Sequence, residues 1–142
     1  MAQKMLYGVI QIAFYDTGKG FRKRILEIIS KEKEVTKKGN KPNPDLRQYI
    51  NIADKLNDKT LIWKKTKENS NLLAIKAALD FRKGSDIPGL AVIKEFAISK
   101  GGSFFVHSSN ASIEIDKYGN EKFRIFDENF SGVHFTIEIP LK

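Results

Sequence analysis

The chain has 142 residues, 41% hydrophobic and 30% charged, which suits one soluble domain long enough to bury a core. Its 25 Lys and Arg against 17 Asp and Glu leave a net charge of +8, a surface able to attract polyanions such as nucleotides or nucleic acid. Cysteine is absent, which excludes disulfides and thiolate chemistry, and no apolar run approaches the roughly 20 residues that span a bilayer.

The N-terminus lacks the small-residue cleavage site of a secretory signal, and the expected location is the cytoplasm. Residues 6–15 read as a strand, because "VIQIAFY" is rich in β-branched and aromatic residues and nearly continuously apolar. Asp16 and Thr17 then offer N-cap oxygens to a helix beginning in "FRKRILEIIS". Residues 31–45, with Gly39, Pro42 and Pro44, form the most loop-like stretch. Helical spacing recurs over 45–57 and again from about Asn69 to Phe81. "RKGSDIPG" breaks the second of these. A further helix is predicted from Pro88 or Gly89, with Gly101 and Gly102 as its C-terminal stop.

Everything after that stop reads as β. "SFFVHSS" is one strand, "ASIEIDKYGNEKFRIFD" is two alternating runs about a turn at "KYGNE", and "GVHFTIEIP" closes the chain. The predicted fold class is α+β, a two-layer sandwich with helices on one face of a mixed, mostly antiparallel sheet.

Several constellations are missing. There is no Walker-type phosphate loop and no serine in a nucleophile-elbow context. His107 and His134 both fall in strand patterns, where a structural position is the better reading than a metal or general-base role. "KFRIF" mixes basic and aromatic residues, as alternating strands commonly do.

Two loops carry more. In "DTGKG", Asp16 ends a buried-type strand, and its carboxylate can accept a hydrogen bond from an exocyclic amine. Gly18 and Gly20 permit positive φ and close approach of the backbone to a ligand. The alternative is a helix N-cap with two permissive glycines. In "RKGSDIPGLAVIKEF", a glycine-bearing loop meets a helix N-terminus, a place favourable to phosphate, and Arg82, Lys83 and Ser85 stand just before it.

Taken in order, "IQIAFYDTGKGF", "FRKGSDIPGLAVIKEFAISKGGSFFVHSS" and "GVHFTIEIPLK" resemble the D-x-G-x-G box, the second glycine box and the closing strand of the GHKL or Bergerat ATP-binding fold. That fold is shared by sensor histidine kinases, DNA gyrase, heat-shock chaperone ATPases and mismatch-repair ATPases, and the closing strand is most similar to the histidine-kinase-like ATPases. The resemblance covers roughly residues 8–30 and 79–142. It implies that Asp16 binds the adenine amino group and that Gly18 and Gly20 shape the pocket. It further implies that Gly84, Ser85 and Gly89 lie near the phosphates, and that residues 31–83 supply a lid-like region within a single domain over 1–142.

Three departures follow from the same comparison. Ile87 replaces the first glycine of the second box, and Val133 stands where the family usually has Thr after Gly132. Only 15 residues precede Asp16, leaving no room for the family's magnesium-binding helix with its Asn. The expectation is therefore the C-terminal part of such a domain, binding ATP but not catalytic by itself, with magnesium held only if that helix comes from elsewhere. No metal or catalytic residue is assigned. The missing helix would leave apolar sheet surface, so a homo-oligomer or a partner chain covering that layer is expected. The alternative reading is a protein-interaction domain that keeps the fold without nucleotide. A third is nucleic-acid binding through the +8 surface, and no membrane partner is expected.

Overall fold

The computed structural model describes residues 2–6, 8–16, 20–37, 39, 53–80 and 90–141. Its elements in chain order are β1 (Ala2–Leu6), β2 (Val9–Asp16), α1 (Phe21–Lys37), α2 (Ala53–Asn57), a 3-10 turn (Lys59–Trp63), α3 (Ser70–Asp80), α4 (Leu90–Ser99), β3 (Ser103–Ile115) and β4 (Glu121–Pro140). The strands form one four-stranded sheet in the order β1-β2-β4-β3. Helices and sheet together make an α+β sandwich.

The sheet is not mixed as expected: every described pairing is antiparallel. β2 and β3 do run in the same direction, but β4 lies between them and pairs with both. The strand expected over 6–15 is present as β2 but starts at Val9, because a hairpin turn joins it to β1. Leu6 pairs with Val9, and Gly8 sits in the connecting turn at φ 75°, a conformation that glycine adopts without steric cost. The runs expected as separate strands near the C-terminus join into two long ones. β3 crosses register shifts at Ser108/Ser109 and Ser109/Ala111 without ending, because Ser109 takes a positive φ of 57° and absorbs the bulge. The turn predicted at "KYGNE" is present, with Asp116 Oδ1 accepting the N–H groups of Tyr118 and Asn120 at 2.9 and 3.0 Å.

α1 extends through 31–37, part of the stretch read as a loop, because "KEKEVTK" is made largely of good helix formers and the Gly/Pro signals begin only at Gly39. The helix predicted over 45–57 is described from Ala53 onward, and residues 40–52 lie outside the described residues. α4 begins at Leu90, so Pro88 and Gly89 also lie outside them. Its end matches the prediction. Gly101 N–H donates to Ile98 O at 3.0 Å and Gly102 N–H to Ala97 O at 2.9 Å, a Schellman closure with Gly101 at φ 74°.

The core lies between the helices and one face of the sheet. It gathers Phe21, Ile25 and Ile29 of α1, Leu72, Ile75 and Leu79 of α3, Phe104, Val106 and Ile113 of β3, and Ile137 of β4. Burying each large side chain contributes roughly 1.5–3 kcal/mol. α3 is the centre of the helical layer, packed against α1, α2, α4 and β3. Ala74, Ala77 and Ala78 are fully buried and let these neighbours approach closely. Along β3 the alternation is plain: Phe104 and Val106 are buried toward the helices, while Phe105 and His107 are half-buried on the opposite face. Among the described residues no helix is long and apolar enough to cross a membrane.

Candidate functional site

Asp16 is the last residue of β2, and its backbone pairs with Val133 of β4. Val133 pairs in turn with Ser108 of β3, so one row across three strands contains Asp16, Val133 and Ser108. The helix after this row starts at Phe21, and Thr17, read from sequence as an N-cap candidate with Asp16, lies outside the described residues. Ser108, far away in sequence, does the local work. Its Oγ accepts the Phe21 N–H at 3.2 Å, satisfying one of the unpaired donors that every helix N-terminus carries. Gly20 enters the helix at φ 80°, and a Cβ there would meet Ser108 Oγ at 3.3 Å and Ser109 Oγ at 3.4 Å. The backbone angle favours glycine here, and a Cβ would sit tightly against the two serine hydroxyls.

A cleft of about 480 Å³ opens beside this row, between the helical layer and the bulge of β3. That size lies within the roughly 300–1,000 Å³ usual for small-molecule sites. Arg22, Lys23, Trp63, Asn71, Ser109 and Phe130 line it, together with Gly132, which is buried at φ 75°. Trp63 and Phe130 are 53% and 46% exposed, so two ring surfaces are available to a ligand. The first turn of α1 holds no acidic residue and carries Arg22, Lys23 and Arg24 at the positive end of the helix dipole. Arg22 is steadied from the helical layer, where its Nη1 donates to Leu56 O at 3.3 Å.

Three buried asparagines tie the helical layer to β3. Asn69 Oδ1 caps α3 by accepting from Asn71 N at 2.9 Å and Leu72 N at 3.1 Å. Its Nδ2 donates to Ile62 O at 2.7 Å and Lys64 O at 2.9 Å, which binds the 3-10 turn carrying Trp63. Asn71 Nδ2 donates to Asn110 Oδ1 at 2.9 Å, and Asn110 Nδ2 returns to Ile62 O at 2.6 Å. Ser70 Oγ, buried beside this network, has no partner. On the far side of the bulge, His107 Nε2 lies 3.1 Å from Ser109 O. Burial pushes the His107 pKa below its ordinary value, against the opposing effect of that carbonyl.

Of the residues singled out from sequence, Gly20 is in the site, and the backbone of Asp16 is in the row beside it. Gly18, Gly84, Ser85, Ile87 and Gly89 lie outside the described residues. Sequence reading did not find Arg22, Trp63, Ser108, Ser109 or the asparagines. The available signals were a polar "SSN" interrupting an apolar strand and "NSN" opening an apolar helix. The residues present fit a nucleotide in kind: exposed rings for a flat base, cations and a helix N-terminus for anionic oxygens, and amide and hydroxyl groups between them. Among the described residues no group of three His, Cys, Asp or Glu is arranged to hold a metal ion. Comparison of the chain with protein-family models, curated proteins and solved structures finds no match.

Proposed function

We propose that this chain is an adenine-nucleotide-binding module of the Bergerat type, not catalytic by itself. The observation that carries the reading is the row Asp16–Val133–Ser108, whose chain neighbours Gly132 and Ser109 line a cleft with its cations on the first turn of α1. In this reading Asp16 accepts the exocyclic amine of adenine, and Gly18 and Gly20 leave room for the ring. The anionic oxygens face Arg22 and Lys23 together with the loop of Gly84, Ser85 and Gly89. ATP is the ligand, and magnesium accompanies it only where a further helix supplies the ligands. Phosphoryl transfer depends on metal and positioned charge, so binding without turnover is the expected behaviour of the isolated chain.

A second reading, a protein-interaction domain that has lost nucleotide, is favoured by one residue. Val133 is the cross-strand partner of Asp16, and its side chain cannot supply the hydroxyl that would support an adenine contact. Calorimetric titration of ATP and ADP, with and without magnesium, against the wild type and Asp16→Asn separates the two. Binding that Asp16→Asn abolishes supports the nucleotide module. No heat at millimolar nucleotide, with the fold intact by circular dichroism, would leave the interaction domain in its place.

A further inference from the structure

The sheet face turned away from the helices is lined with rings rather than aliphatic side chains. Tyr15 of β2 meets His134 of β4 at a centroid distance of 6.2 Å, and His134 meets Phe105 of β3 at 6.4 Å. His107 of β3 lies 4.9 Å from both Phe126 and Phe130 of β4. His107 and His134 are direct cross-strand partners, so the two groups join into one row over three strands. Tyr15 is 66% exposed and Phe130 46%. A solvent-facing sheet surface ordinarily presents polar residues at these positions, so a continuous ring surface marks a contact site.

Cations stand at both ends of the row. The Arg124 guanidinium lies 5.7 Å above the Phe126 ring. At the other end, Arg22 and Lys23 border the cleft in which Phe130 stands. Two carboxylates of this face, Glu114 and Glu138, line a hollow beside Phe105. Glu114 is opposite Lys122 in the ribbon, and Glu138 accepts a hydrogen bond from Gln11.

We propose that this face binds single-stranded nucleic acid. Bases stack on Tyr15 and on the His107–Phe130 cluster, and phosphates are held by Arg124 and, over the rim at Phe130, by Lys23. Every base has a π face, so stacking of this kind tolerates any sequence. A four-stranded antiparallel sheet with helices behind it and rings in front can take two or three unstacked bases. A duplex keeps its base faces inside and gains nothing from the rings. A second copy of this chain suits the face less well, because it would bring +8 against +8, and Gln11 and Thr136 interrupt the rings with polar groups.

The test is fluorescence anisotropy of a short labelled oligothymidylate and of a duplex of equal length, each titrated with the full chain at low and raised salt. The single strand should bind with a log–log salt slope of about −0.7 per phosphate contacted. Tyr15→Ala and Phe130→Ala should each weaken it by about five- to a hundredfold, with Tyr15→Phe close to wild type. Tyr118→Ala, which removes a 76% exposed ring in the β3–β4 turn, away from the row, should leave it unchanged. Circular dichroism confirms the fold of each variant. No anisotropy change at low salt overturns the proposal. So does equal affinity for the duplex with the ring variants unaffected, which would mean that charge alone binds. A dimer in light scattering that Tyr15→Ala dissociates would assign the face to self-association instead.

Discussion

Replacing Asn69 by Ala should be among the most damaging changes to the helical layer. The side chain is fully buried and makes four hydrogen bonds, two as the cap of α3 and two to the carbonyls of Ile62 and Lys64. Losing an N-cap costs about 1 kcal/mol, within a range of roughly 0.5–2. Ile62 O keeps its bond from Asn110, so only Lys64 O loses its donor, and with the space left by the fully buried side chain this adds about 1–3 kcal/mol. The sum is about 2–4 kcal/mol, a large part of the roughly 5–15 kcal/mol that holds a domain together. Asn69→Ser keeps a capping oxygen and loses only the carbonyl contacts, so it should fall about halfway between. Equilibrium urea unfolding followed by circular dichroism measures both. With an m-value of about 2 kcal/mol per molar, the Ala midpoint should drop by roughly 1–2 M. A drop below about 0.5 M, or Ser and Ala variants that unfold together, would refute the assignment of Asn69 as both cap and strap.

Three further expectations are more local. Gly102→Ala would put a Cβ 1.9 Å from the Glu138 carbonyl oxygen on a central strand, so it should prevent stable folding. Gly101→Ala, whose Cβ meets only Pro140 Cγ at 3.8 Å, should cost about 1–2 kcal/mol for its left-handed backbone. Soluble yield reads the first change, and a fall in melting temperature of roughly 2–8 °C reads the second. Because burial depresses the His107 pKa, the folded chain takes up its proton less readily than the unfolded chain, whose value is about 6.5. The stability contribution of neutral His107 is therefore complete above that pH and is lost as pH falls through the folded pKa. His107→Gln should flatten the acid loss of stability in denaturant titrations between neutral and mildly acidic pH. Val133→Thr should tighten adenine-nucleotide binding by restoring a hydroxyl beside Asp16, and calorimetry showing no gain would detach that position from the pocket.

The sequence disclosed most where local chemistry decides. Gly101 and Gly102 close α4 as their residue type requires, and the Asp116–Asn120 turn follows from turn residues between alternating runs. It misled where partners distant in the chain decide. The N-terminus of α1 takes an acceptor from Ser108 at a sequence separation of 87, which no local pattern announces. The polar "SSN" read as the end of a strand, but Ser109 in a left-handed conformation lets β3 bend and continue, and Asn110 pairs with Asn71. Trp63 lies in a stretch without clear periodicity, and its place on the cleft wall depends on Asn69 and Asn110 holding the Ile62 carbonyl. The ring row on the open face was hidden for the same reason. Alternation predicts that Phe105 and His107 share a face, but only the register adds His134 and Tyr15 to it.

Amide chemical-shift mapping of an ATP titration tests the central claim most directly. The account predicts saturable shifts concentrated at Asp16, Gly20–Lys23, Ser108–Ser109 and Gly132, absent in Asp16→Asn. Shifts that fail to appear at millimolar ATP, or that fall on the Tyr15–Phe105 face and leave Gly20 and Ser108 unmoved, would contradict it.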